Sequence, residues 1–279
     1  MVHPAAILVV SQLPLVAAVA VPAGPARWGL LSGWAALKVF VLWQMMSARG
    51  RMFGPVVWRA RPQPRVALTF DDGPHPEDTP AILKILRDTG ARATFFVVGA
   101  AARRHPDLVR QAIREGHEVA SHSDTHPWWF SIAPAARVRR EVCESARTIE
   151  SLTGRRPIHF RPPVGHRSFF LKEALASSGI TLITWSSRCF DTLGRSPEAI
   201  QRAILATASP GGIVMLHEGV RRHPGEASPT VTALPGIIHA LRARGLEPVS
   251  LEDLREARPS RPPAPAPPPS GAARAGHGA

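Results

Sequence analysis

Between residues 66 and 251, short apolar runs rich in β-branched and aromatic side chains alternate with amphipathic helical patterns, and few folds accommodate that alternation. Seven runs read as strands: 66–70, 93–99, 117–121, 158–160, 180–185, 212–217 and 246–251. Helical periodicity falls between them, near 78–88, 105–115, 134–152, 168–178, 196–208 and 230–244. Gly90, Gly116, Gly154, Gly179 and Gly245 lie just past the helix ends, where a left-handed stop residue is expected, and Pro106 and Pro197 occupy first-turn positions. Because the strands are apolar without interruption and separated by helices, they pair in parallel and are covered on both faces. The expected fold class is α/β. In a barrel of that kind, side chains with a chemical task collect where the strands end.

The flanks differ in kind. No Lys, Arg, Asp or Glu occurs from Met1 to Ala26, and a second apolar run at 28–46 is broken only by Lys38. A secretory signal would carry a basic residue ahead of its apolar core, and none is present, so the expectation is an N-terminal membrane segment, 1–46, forming a transmembrane hairpin with spans at about 5–23 and 28–46. Arg49, Arg51, Arg59, Arg61 and Arg65 follow the second span before any acidic residue, against Arg27 alone between the spans. By the positive-inside tendency the main domain faces the cytoplasm from the bacterial inner membrane; a single anchor with a periplasmic domain is the competing arrangement. A basic linker, 47–64, leads into a domain at 65–257, and the Pro/Ala/Gly-rich tail 258–279 is expected to be a disordered tether. The 34 basic against 21 acidic residues give a charge of +13. These residues are nearly all Arg, and they are scattered without interleaved aromatics, which argues against nucleic acid and for a membrane surface or an anionic substrate. Cys143 and Cys189 are too few for a disulfide framework.

The polar residues that stand out lie where predicted strands run out: TFDDGP (69–74), SHSDTHP (121–127), RPPVG (161–165) and LHEG (216–219). His122 and His126 are four apart, a spacing that lets two imidazoles reach one metal ion, although such a pair alone is more often a surface turn. Asp71 and Asp72 are adjacent and point in different directions, so one carboxylate can bind a cation while the other moves protons. Each motif is weak by itself, Asp-Asp-Gly being usually a turn. Their joint occurrence at strand ends is what matters.

In this order TFDDGP, SHSDTHP, RPPVG, WSSRCFD (185–191) and MLH (215–217) make residues 65–252 similar to the NodB-like polysaccharide deacetylases, carbohydrate esterase family four. The resemblance implies a distorted (β/α)7-type barrel and one divalent metal ion, zinc ahead of cobalt, manganese or nickel. It also implies hydrolysis of N-acetyl groups on amino sugars of a polysaccharide or a lipid-linked saccharide. Carried over by position, it makes Asp72, His122 and His126 metal ligands, Asp71 the general base with Arg161 orienting it, and His217 the general acid. The backbone amide at Val164 would hold the oxyanion. The chemistry agrees with those roles. An amide carbonyl is a poor electrophile, so a Lewis acid that polarises it and lowers the pKa of a bound water suits the task, and the amine leaves only when protonated.

Departures in two of the motifs bear on the substrate. Arg188 stands where the family usually places the aspartate that supports the general acid, and Thr192 replaces its usual tryptophan. A cation there lowers the pKa of His217 and cannot orient it as a carboxylate does. The family's frequent aromatic in the third motif is Val164. Arg188, Asp191, Trp128 and His166 are the expected substrate contacts, with His75 and Trp129 completing the mouth. Arg188, joined by Arg167 and Arg222, would suit an anionic saccharide, such as one linked to a lipid through phosphate. A reading from another class is a membrane-anchored carbohydrate-binding protein whose deacetylase barrel is catalytically weakened by Arg188.

Overall fold

In the computed structural model, which describes residues 12–220 and 227–256, the strand Arg65–Gly73 (β1) pairs in parallel with three others. These are Thr94–Val97 (β2), Ile213–His217 (β7) and Glu247–Val249 (β8). The remaining strands are Glu118–Ser121 (β3), His159–Phe160 (β4), Thr181–Leu182 (β5) and Ser187–Arg188 (β6). The sheet runs β5-β4-β3-β2-β1-β7-β6, with β8 added on β1. It therefore has eight strands, one more than expected. The added strand, β6, has two residues, too few to carry a period.

Helices Asp78–Thr89 (α3), Pro106–Arg114 (α5), Ala135–Thr153 (α6), Leu171–Ala176 (α7), Pro197–Thr207 (α8) and Pro229–Ala243 (α9) occupy the expected positions. Gly99–Arg104 (α4) and Leu251–Glu256 (α10) are further short helices. The five glycines past the helix ends all have positive φ, between 66° and 84°. Strand alternation sorts the core into two layers. Val66, Leu68 and Phe70 point outward and pack with Ile82, Leu83 and Leu86 of α3, whereas Ala67 points inward with Phe96, Ala120, Ile183 and Ile213. Thr69 and Asp71 continue the inward row, so the same period that builds the core delivers Asp71 to the open end of the sheet.

The segment 47–64 is no free linker. Val57 makes a parallel bridge to Ile183 and Arg59 an antiparallel one to Gly212, so the segment lies across the gap between β5 and β7. Phe53 and Val56 are buried. Ahead of it, Pro25–Met46 (α2) is a 22-residue helix containing an 18-residue stretch of mean hydropathy 1.3, of which 6% is buried. The expected first span, 5–23, falls partly outside the described residues; within them it contributes only the helix Leu13–Ala20 (α1), which packs on α2. A hairpin of two full spans is thus an expectation that extends beyond the described residues, as does the disordered tail 258–279.

Candidate active site

Asp71 and Asp72 are separated by a β-bulge. The pairing of β1 with β2 steps from Asp71↔Phe96 to Gly73↔Val97, leaving Asp72 unpaired at φ 73°. A bulge of this kind turns one side chain out of the ladder, and aspartate tolerates the left-handed region better than most residues. Asp71 stays in the inward row, buried, with Oδ1 accepting from Arg161 Nη1 at 2.6 Å. Arg161 is itself fully buried; it donates to Thr69 Oγ1 and to the Thr184 carbonyl and lies over the Phe96 ring at 4.1 Å. One carboxylate is thus clamped by a guanidinium while its neighbour faces elsewhere.

Asp72 faces two histidines. Its Oδ1 lies 3.4 Å from His122 Nε2 and 3.3 Å from His126 Nε2. His122 is buried and its Nδ1 is 2.8 Å from the Arg161 carbonyl. A carbonyl only accepts, so Nδ1 carries the proton and, in the neutral ring, Nε2 presents a lone pair toward the carboxylate. His126 reaches the same point through a turn at φ 51°, closed by its N–H donating to Ser123 Oγ. Burial alone would raise the Asp72 carboxyl, but the closeness of His122 and the charges of His217 and His126 outweigh it and hold the carboxyl well below the usual range.

These donors fit a divalent metal ion. Asp72 Oδ1 is buried with no hydrogen-bond donor of its own, and the His122 Nε2 lone pair aimed at that oxygen is repelled by it unless a cation lies between them. Ligands about 2.0–2.1 Å from a tetrahedrally held ion stand ~3.3 Å apart. That matches the two separations above. One carboxylate and two imidazoles also leave positions open for water and substrate.

His217 ends β7 beside Asp71, its partner in register. Its Nδ1 and its backbone N–H each lie 2.8 Å from a different oxygen of Asp191, and Thr230 Oγ1 donates to that carboxylate at 3.0 Å. Burial disfavours the imidazolium, but the hydrogen bond and charge of Asp191, with Asp71 and Asp72 adding, raise its pKa to about 9.

This corrects the reading of Arg188. The carboxylate behind His217 is present three residues further on, at Asp191, and Asp191 is a positioning partner of the histidine with no place in the pocket lining. The pKa of His217 therefore rises where a fall was expected. Phe190, at φ 54°, is the cause: it reverses the chain so that Asp191 turns in. Arg188 is left exposed at the cavity wall with its guanidinium 4.1 Å from the Phe190 ring.

A cavity of about 350 Å³ opens onto Asp71, Asp72, His122, His126 and His217. Val164, His166, Arg188 and Thr192 line it as well, together with Trp185, Phe190 and Met215, to which no role had been given. Met215 was legible in principle, being two residues before His217 on one strand. Gly165 admits Trp185: a Cβ there would stand 2.1 Å from the indole. Of His75, His166, Trp128 and Trp129, only His166 lines the cavity among the described residues. Trp128 projects into solvent at 78% exposure. Arg167, expected beside an anionic substrate, is fully buried and donates to the Gly50 carbonyl, and Arg222 lies outside the described residues.

Comparison with known proteins agrees with this geometry. Residues 59–183 match the family profile described as polysaccharide deacetylase. A chitooligosaccharide deacetylase of Sinorhizobium fredii is 38% identical over 191 residues, 65% of this chain and 87% of that protein. A peptidoglycan-N-acetylglucosamine deacetylase of Bacillus cereus is 31% identical over 72% of this chain and 93% of its own. The crystal structure of the Bc1960 peptidoglycan N-acetylglucosamine deacetylase superposes with a TM-score of 0.67 at 29% identity, covering 74% of this chain and 95% of that one. With that coverage and these strand-end residues in place, the chain belongs to the NodB-like polysaccharide deacetylases of carbohydrate esterase family four, hydrolases of carbon–nitrogen bonds other than peptide bonds.

Proposed function

We propose that the protein is a membrane-anchored, divalent-metal-dependent hydrolase that removes acetyl groups from N-acetylated amino sugars. The observation that carries this reading is the separation of three tasks within one cavity: the Asp72, His122 and His126 donor set, the Asp71–Arg161 pair and the His217–Asp191 pair. Asp72, His122 and His126 would hold the metal ion, which would supply Lewis acidity toward the amide carbonyl and toward water. Asp71, clamped by Arg161, takes the proton of the attacking water. The Val164 turn, at φ 57°, brings backbone to the cavity wall where an oxyanion is held. His217, protonated and oriented by Asp191, gives its proton to the leaving nitrogen. The cation that argued for a weakened, merely sugar-binding barrel is not behind His217, which removes the ground for that alternative.

The names of the relatives support chitooligosaccharide or peptidoglycan N-acetylglucosamine as the substrate class. Acetate release from N-acetylated chitooligosaccharide tests the reading. We expect turnover that is lost on exhaustive chelation and restored by stoichiometric zinc; chelator-resistant turnover would contradict metal dependence.

His217 makes the pH profile informative. The acid is protonated below about 9, so kcat/KM falls as pH rises through that value. In Asp191→Asn the limb moves down toward the ordinary imidazole value of 6.5. An unmoved limb would assign the titration to another group. The same shift has a stability counterpart: the pair's contribution is fully present below 6.5 and is lost as pH rises through about 9.

The length, apolarity and exposure of α2 support anchorage, and the arginines after it support a cytoplasmic barrel in the bacterial inner membrane. Reporter fusions at residue 258 are expected to be active as cytoplasmic and silent as periplasmic fusions; the opposite pattern places the barrel outside.

A further inference from the structure

The exit of α2 is bonded to the barrel. The Met45 carbonyl accepts from the Arg167 N–H at 3.2 Å, the Ala48 carbonyl accepts from Thr184 Oγ1 at 2.7 Å, and the Arg167 guanidinium donates to the Gly50 carbonyl. Anchor and active site therefore hold a set orientation, whereas a flexible tether would let the barrel swing. At this junction a second cavity of about 520 Å³ starts at Trp43 and Met46, on the last turn of α2, and ends at Trp185, Arg188 and Phe190. Those last three residues also line the catalytic cavity, so the two cavities share a wall and adjoin. Trp43 and Met46 are 57% and 50% exposed; at the end of a spanning helix they sit at the bilayer surface, where tryptophan is favoured.

The charge lining the second cavity has one sign. Arg49 and Arg188 line the second cavity and no carboxylate does among the described residues. Each guanidinium lies against an aromatic face, Arg49 over Trp58 at 4.4 Å and Arg188 over Phe190 at 4.1 Å. Stacking holds the plane and leaves the N–H edge for an oxyanion, the arrangement in which arginine takes phosphate in two-point fashion. Apolar side chains at the bilayer, arginines next and the catalytic cavity beyond reproduce the order of parts in a lipid, a phosphate and a sugar.

We infer that the substrate is an N-acetylated amino sugar joined through phosphate to a membrane lipid, with the lipid leaving along Trp43 and Met46, the phosphate on Arg188 and Arg49, and the sugar in the catalytic cavity. This rests on the deacetylase and anchorage readings above and names the substrate of that same site. A neutral soluble polymer has no use for a basic groove that opens at the membrane.

The test uses the full-length, zinc-loaded chain in phosphatidylcholine nanodiscs and four probes: dodecyl-phospho-N-acetylglucosamine, neutral dodecyl N-acetylglucosaminide, N-acetylglucosamine 1-phosphate and penta-N-acetylchitopentaose. Acetate release should show the highest kcat/KM on the first, above both the probe lacking phosphate and the probe lacking lipid. Arg188→Ala should lower the ratio of kcat/KM on the phospholipid-linked sugar to that on chitopentaose by about 30-fold, the worth of one charge-assisted contact. Arg188→Lys, which keeps the charge, should recover part of that ratio. An unchanged ratio in Arg188→Ala, or equal rates on free and lipid-linked sugar phosphate, would overturn the inference. Hydrolysis of chitopentaose alone would also overturn it while leaving the deacetylase reading standing. Acetate release from none of the four would sink the deacetylase reading and this inference with it.

Discussion

Asp71→Asn is expected to lose turnover by about 10²–10⁴-fold, the usual span of a general base, while keeping its metal. The amide has the shape of the carboxylate and can still accept from Arg161 at the position where Oδ1 now accepts at 2.6 Å. It cannot take a proton from water. Arg161 is fully buried and loses its charge partner, so part of the cost falls on stability; breaking a buried pair from one side costs about 3–5 kcal/mol when nothing replaces it. The retained amide oxygen, Thr69 Oγ1 and the Thr184 carbonyl keep the guanidinium solvated by protein, which places the variant below that range. Kinetics, metal content and thermal unfolding on one preparation separate these effects. Metal loss in the variant would make Asp71 a ligand and undo the division between the two aspartates.

His126→Ala should abolish stoichiometric binding of the divalent ion and turnover together. Changes beyond the direct ligands of a metal already cost roughly 10–100-fold, so removing one of three protein ligands should exceed about 100-fold in activity. His126 is the better choice than His122 for this test. Its side chain is 31% exposed, against 3% for His122, whose Nδ1 also bonds the Arg161 carbonyl. The His126 variant therefore keeps the clamp on Asp71 and should unfold near the wild-type temperature of the metal-free protein. Undiminished metal content in the purified variant would remove His126 from the donor set.

Local sequence determined the parts whose physics is local. The two periods, the glycine stops and the placement of polar residues after apolar runs specify a parallel sheet with helices and a polar mouth, because each depends on neighbours within a turn of helix or a pleat of strand. The donor set was legible for the same reason: His122 and His126 lie in one loop, and Asp71 and Asp72 on one strand end. Even there the sequence did not contain the bulge that turns Asp72 toward the histidines, since a register shift is a property of two strands.

What the tertiary structure decided concerns residues distant in the chain. Asp191 and His217 are 26 positions apart, and nothing in either segment distinguishes Asp191 from Arg188 as the one that turns inward. The left-handed Phe190 makes that choice, and a positive φ at a phenylalanine has no signature in sequence. The segment 47–64 reads as a basic linker because its composition is that of one, yet its two bridges lie across the sheet gap and carry the end of α2 to the rim of the catalytic cavity. Composition can suggest a membrane helix and pattern can suggest a barrel. Their relative placement depends on hydrogen bonds that the Met45 and Ala48 carbonyls accept from residues more than a hundred positions away, and pairings at that separation are settled only when the chain folds.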